Sequence, residues 1–173
     1  MDSIRVFDDF LTPHEFQFAY DFFRHYAKWI YGHTDTKDCR VYWFKCLLSK
    51  EPYFTEYILS NINKLTDDKW TLDRCYANGQ TIGLEGSKWH SDLEGEDNDT
   101  EYTAILYISD ITRENVEGIK GGIEFKTDDE IRCIEPLQNR LIIFNSHIAH
   151  RGRAPCVPTM FRISVAFKLK KIN

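Results

Sequence analysis

Long apolar runs are missing from this chain. No stretch approaches the roughly 18 residues a membrane-spanning helix needs, so the expectation is no spanning helix and no membrane partner. A surplus of positive charge is missing too. Lys and Arg number 22 against 27 Asp and Glu, a formal net charge of −5, so no overall basic field steers the chain onto nucleic acid. Close cysteine pairs are also absent. The five cysteines, at 39, 46, 75, 133 and 156, contain no C-x-x-C. Their odd count, and a Met1 end without an apolar signal run, predict reduced thiols in a cytoplasmic setting. There is no internal repeat, low-complexity segment or linker.

What is present is an ordinary globular composition with many aromatics. Of 173 residues, 42% are hydrophobic and 14% aromatic, with 12 Phe, 9 Tyr and 4 Trp. A chain of this length suits one domain and buries a core without staples. The aromatic share points to a well-packed, β-rich body with a lined pocket.

The hydrophobic period changes along the chain. Residues 1–68 read as mainly helical support. In "FLTPHEFQFAYDFFRHY", Thr12 can cap, Pro13 fits the first helical turn and Glu15 closes a capping box. Phe16, Ala19, Tyr20, Phe23 and Ala27 then form a helical stripe. A second helix is expected from Pro52, with Phe54, Ile58, Ile62 and Leu65 on one face. "CRVYWFKCLL" between them fits either a strand or a buried loop. Residues 69–173 read as short strands. "WTLDRCYANG" alternates towards a turn, and "EYTAILYISD" presents Thr103, Ile105, Tyr107 and Ser109 on one face. "GGIEFKT", "IRCIEP", "NRLIIFNS" and "FRISVAFKLKK" follow. Helices first and antiparallel strands after give an α+β reading in a single domain, 1–173.

Within this frame lies "WHSD", Trp89 to Asp92. On a strand, His90 and Asp92 share a face, and an imidazole beside a carboxylate supplies two metal ligands. A third can come from "FNSHIAHRG", which offers His147 and His150. Two histidines and a carboxylate with open positions make the facial set of non-haem iron(II) oxygenases. In "FRISVAF", Arg162, Ser164 and Ala166 alternate with Phe161, Ile163, Val165 and Phe167. Arg162 either reaches solvent at the sheet edge or, on an inward barrel face, calls for a carboxylate partner.

The order H-x-D, tyrosine-bearing strand, Gly-Gly, distal His and R-x-S resembles the iron(II)/2-oxoglutarate-dependent dioxygenases, in their prolyl-4-hydroxylase-like branch. "IRVFDDFLTPHEF" is similar to the branch's entry strand and first helix, and "CYANGQ" to its tyrosine-containing turn. "RLIIFNSHIAHRG" is similar to its distal-histidine strand. The resemblance implies a double-stranded β-helix (jelly-roll) barrel with N-terminal flanking helices. It implies Fe(II) held by His90, Asp92 and His150, the last preferred to His147 because H-R-G follows it. Arg162 would meet the far carboxylate of 2-oxoglutarate, with Tyr107, Ser164 and Tyr76 around the co-substrate. The activity implied is hydroxylation of a C–H bond with O2, giving succinate and CO2, with ascorbate as an accessory reductant. An aspartate at 92, where related halogenases carry a small residue, favours hydroxylation over halogenation.

The substrate implied is a peptidyl proline, another protein side chain or an amino acid. A nucleic-acid dealkylase and a non-catalytic metal-binding jelly roll are the alternatives; the charge opposes the first and Arg162 with Ser164 the second. The acidic run 93–101 reads as a solvated loop or a lid, and Trp89 as core. Arg151 and Arg153 could face an anionic substrate or the protein surface.

Overall fold

A computed structural model of the chain describes residues 4–33, 42–82, 87–93, 100–127 and 130–172. Two antiparallel sheets face each other. The strands are β1 (Ile4–Phe7), β2 (Ile30–His33), β3 (Trp43–Leu47), β4 (Lys69–Gln80), β5 (Glu101–Tyr107), β6 (Ile123–Lys126), β7 (Ile131–Ile134), β8 (Leu141–Asn145), β9 (His150–Gly152) and β10 (Arg162–Ile172). The larger sheet has the order β1-β8-β5-β10-β4-β3-β2, and the smaller β7-β6-β9. The fold is a jelly roll with helices packed on the outer face of the larger sheet.

Alternation along the strands builds both sides of that sheet. Ala104, Leu106, Val165, Phe167, Cys75 and Ala77 point outward into a core shared with the helices. Their neighbours Thr103, Tyr107, Ser164, Lys168, Tyr76 and Asn78 point inward and line a cavity. This is the two-residue side-chain period of a pleated sheet. It places the inward faces of "EYTAILYISD" and "FRISVAF" where their sequences predict.

Helix α1 (Pro13–His25) starts at the capping box its sequence announces. The Glu15 N–H donates to Thr12 Oγ1 at 3.4 Å and the Thr12 N–H donates to Glu15 Oε2 at 2.7 Å. The predicted stripe, Phe16 to Ala27, packs into the main core. The second helical segment starts as a π-helical stretch, Tyr53–Ile58, and continues as α2 (Leu59–Leu65). Phe54, Ile58 and Ile62 are fully buried, whereas Leu65, on the last turn, is exposed. A short helix, α3 (Val116–Ile119), follows β5.

The expected entry strand is β1, and "CRVYWFKCLL", open between strand and loop, supplies β3; with β2 the first third adds three strands to the large sheet. One reading changes. "CYANGQ" is not a turn. It continues β4, paired with β10 from Arg162↔Gln80 to Ile172↔Lys69 and with β3. Asn-Gly, read locally as a turn signal, serves packing here. A Cβ on Gly79 would lie 2.1 Å from the Phe161 ring, so glycine makes room for that aromatic.

The four described cysteines, 46, 75, 133 and 156, are free thiols. No helix among the described residues is long and apolar enough to cross a membrane. Cys39 and positions 94–99 of the acidic run lie outside the described residues.

Candidate metal centre and co-substrate pocket

His90 and Asp92 are not on a regular strand. Residues 87–92 run beside β9 and extend the small sheet by single bonds. The Ser87 N–H donates to Gly152 O at 2.8 Å, and His90 and His150 exchange N–H···O bonds of 3.1 and 2.8 Å. The Asp92 N–H donates to Ser146 O at 2.9 Å. The backbone bridge sets the two imidazoles side by side, ring centroids 4.5 Å apart. One ligand atom from each of His90, Asp92 and His150 lies within 4.8 Å of the others. His147 is not in this group, and its buried Nε2 has no hydrogen-bond partner.

The local bonds prepare these donors. His90 Nδ1 lies 2.9 Å from Lys88 O and His150 Nδ1 lies 2.8 Å from Ile148 O. A carbonyl only accepts, so each Nδ1 carries the proton and each Nε2 presents a lone pair. Burial pushes the His150 pKa down to about 4 against the pull of Asp92, which keeps the ring neutral. Burial also opposes ionisation of Asp92. The charges of Lys168 and His150, with hydrogen bonds from Lys168 and Thr103, outweigh it and hold Asp92 at about 2. Thr103 Oγ1 donates to Asp92 Oδ2 at 2.6 Å and Lys168 Nζ bonds the same oxygen. Two imidazoles and one ionised carboxylate, pre-oriented and converging, fit a ferrous ion.

The cavity beside them is about 240 Å³, at the small end for a ligand site. Arg162 forms one end. It is buried, its Nε has no hydrogen-bond partner, and no carboxylate among the described residues pairs with it. The guanidinium carbon stands 5.7 Å from the Tyr107 ring centroid. Burial pushes the Arg162 pKa down and Tyr107 holds it up. An unpaired buried guanidinium is costly, and the carboxylate of a dicarboxylic acid satisfies it. Gln80 Oε1, also buried and unpartnered, lines the same cavity. Gly121, at φ +90°, leaves room for the arginine: a Cβ there would lie 3.3 Å from Arg162 Cδ.

Tyr107, Ser164 and Tyr76 all line the cavity. Tyr107 and Ser164 are register partners next to Arg162, whereas Tyr76 pairs with Ala166, further along. Other expectations resolve away from the site. Trp89 is only half-buried, with the Arg151 guanidinium 4.4 Å above its ring. Arg151 and Arg153 both pair with Glu124, at 2.6 and 3.6 Å.

Sequence reading missed Lys168. The alternation that turns Arg162, Ser164 and Ala166 inward, carried two residues further, turns Lys168 inward as well. Lys45 and Arg74 were missed, and Thr103 was given a face but no role, because their relevance depends on which strands become neighbours.

A family model, the 2OG-Fe(II) oxygenase superfamily, matches residues 75–168, more than half of the chain. This chain belongs to the 2OG-Fe(II) oxygenase superfamily. It is therefore an oxidoreductase of the 2-oxoglutarate-dependent dioxygenase class, using Fe(II), 2-oxoglutarate and O2. Its fold is similar to that of a Trichoplax adhaerens prolyl hydroxylase in complex with a hypoxia inducible factor oxygen degradation domain peptide fragment. The TM-score is 0.72 at 15% identity, covering 99% of this chain and 84% of that one. A Pseudomonas putida prolyl-4-hydroxylase gives a TM-score of 0.72 at 12% identity, covering 99% and 94%. HygX from Streptomyces hygroscopicus, with nickel and 2-oxoglutarate bound, gives 0.69 at 13%, covering 97% and 82%. A comparison with curated protein sequences finds no match.

Proposed function

We propose that the protein hydroxylates a C–H bond of a peptidyl proline, or of another protein or amino-acid side chain, with succinate and CO2 as co-products. His90, Asp92 and His150 hold Fe(II). Arg162 binds the far carboxylate of 2-oxoglutarate, Tyr107 and Ser164 flank it, and Tyr76 lines the wall beyond. When bound, iron and 2-oxoglutarate supply the oxidation of an unactivated C–H bond. The chain contributes orientation. The backbone bridge fixes the imidazoles, and Thr103 and Lys168 fix the carboxylate.

The observation that carries this reading is one cavity holding both a His-Asp-His cluster and a buried arginine with an unsatisfied nitrogen. A metal-binding module has no use for that arginine. The structural likeness to a prolyl hydroxylase with bound peptide supports a peptide substrate, and the free thiols support a reducing compartment.

Anaerobic addition of Fe(II) and 2-oxoglutarate should give a weak visible charge-transfer band, lost in His90→Ala and weakened in Arg162→Ala. Succinate release with prolyl peptides, amino acids and methylated oligonucleotides then sorts the substrate class. A protein that binds iron but never develops the band would overturn the reading.

A further inference from the structure

The cavity has a second cationic end, of which the iron and co-substrate roles use only Lys168, through Asp92. The strand register builds it. On the inward face of β4 and β10, Arg162 pairs with Gln80, Ser164 with Asn78, Ala166 with Tyr76 and Lys168 with Arg74. Arg162 and Lys168 are six residues apart on one strand, roughly 20 Å along its axis. Arg162 marks one pole, and Lys168 with Arg74 the other. Lys45 joins them from β3, which pairs with the same stretch of β4 (Lys45↔Asn78, Leu47↔Tyr76). Its Nζ lies 4.3 Å from the Tyr76 ring centroid. All three cations line the cavity that contains His90, Asp92 and His150.

Three like charges on adjacent strands repel, and among the described residues one of them, Lys168, has a strong partner. Lys168 is neutralised by Asp92. Arg74, itself exposed, pairs among the described residues with its exposed neighbour Asp73 at 3.8 Å, a contact worth little in water. Lys45 is half-buried and makes no ion pair among the described residues, the Tyr76 ring being its only charge-stabilising contact. Burial and the Arg74 charge both push its pKa down. A half-buried ammonium and an exposed neighbouring guanidinium, both lining a reaction cavity whose own carboxylate, Asp92, is taken by Lys168, make a receptor for another.

We infer that Lys45 and Arg74 bind an oxyanion, a carboxylate or phosphate carried by the peptide or amino-acid substrate, at the end of the cavity opposite Arg162. The inference rests on the hydroxylase reading and narrows it to acidic substrates. The net charge of −5 opposes a polyanion such as nucleic acid, so the receptor serves one anionic group on an otherwise small or peptide ligand.

The test uses the full chain with Fe(II) and 2-oxoglutarate under anaerobic conditions. Matched probes differ only in charge: L-glutamate against L-glutamine, Glu-Pro against Gln-Pro peptides, and phosphoserine-Pro against Ser-Pro peptides. Binding is read as perturbation of the charge-transfer band, and turnover in air as succinate release. The acidic member of at least one pair should bind about tenfold tighter, a charge-assisted contact's worth. Lys45→Gln and Arg74→Gln should each erase most of that preference without changing the Fe(II)·2-oxoglutarate band. Equal binding within every pair, preference for neutral members, preference unaffected by either substitution, or no response to any probe while the band forms would overturn it. Failure of the band in the unmodified protein would instead overturn the hydroxylase reading beneath it.

Discussion

Lys168 carries a cost that its position repays. Burial pushes its pKa down and Asp92 holds it up, so the two form a buried pair in which each justifies the other. Removing one partner of such a pair leaves an uncompensated charge, on the order of 3–5 kcal/mol. Lys168→Met should therefore lower the stability of the metal-free protein by an amount of that order, read from the denaturant midpoint. It should also weaken Fe(II) binding about 10–100-fold, as loss of an outer partner of a metal ligand does, read by titrating the charge-transfer band. Arg162→Ala tests the other pole. It removes a charge-assisted contact and should raise the KM for 2-oxoglutarate by about 10–100-fold, with Fe(II) affinity little changed. At this scale the sequence was informative wherever parity decides. Arg162, Ser164, Tyr107 and Thr103 face inward because alternation along a strand is rigid. Parity could not show that Lys168 meets Asp92, because that bond joins residues from distant parts of the chain.

Elements were legible in proportion to how local their causes are. Helix α1 begins where Thr12, Pro13 and Glu15 say it does, because the bonds that start it are made within four residues. Thr12→Ala should cost about 1 kcal/mol, seen as a lower urea midpoint at unchanged slope. The long β4 was misread because Asn78-Gly79 carries a turn signal that pairing on both sides overrides. Gly79 answers to Phe161, a residue far away in sequence. Gly121 is the converse case, in which conformation and packing agree. At φ +90° with Arg162 Cδ and Pro155 N each 3.3 Å from a would-be Cβ, Gly121→Ala should cost about 1–3 kcal/mol. It should also raise the KM for 2-oxoglutarate by shifting the guanidinium.

Across the whole molecule, ion pairs tie distant ends together. Asp68, just before β4, bonds Arg5 of β1 at 2.9 Å and Lys171 of β10 at 2.7 Å. The Lys171 hydrogen bond holds the Asp68 pKa below its ordinary 3.8, against burial and with help from Arg5. A depressed carboxylate stabilises the fold above its unfolded value, and that contribution fades as pH falls through 3.8 towards the folded value. The stability gap between the wild type and Asp68→Asn should therefore be full near neutrality and close below about pH 4. Urea midpoints measured across that range check it, and a gap that persists in acid would reject the account.

The sequence alone determined the class of fold, the inward faces of its best strands and the identity of the donor types, because periodicity and residue chemistry are local. It named both histidines of the distal segment without the means to choose by geometry. Tertiary structure decided that His150 and not His147 joins His90 and Asp92, since the choice is made by one backbone bridge between segments far apart in the chain. It also decided that Lys45, Arg74 and Lys168 share a cavity. Charges on separate strands become neighbours only through pairing register, and register is a property of the assembled sheet.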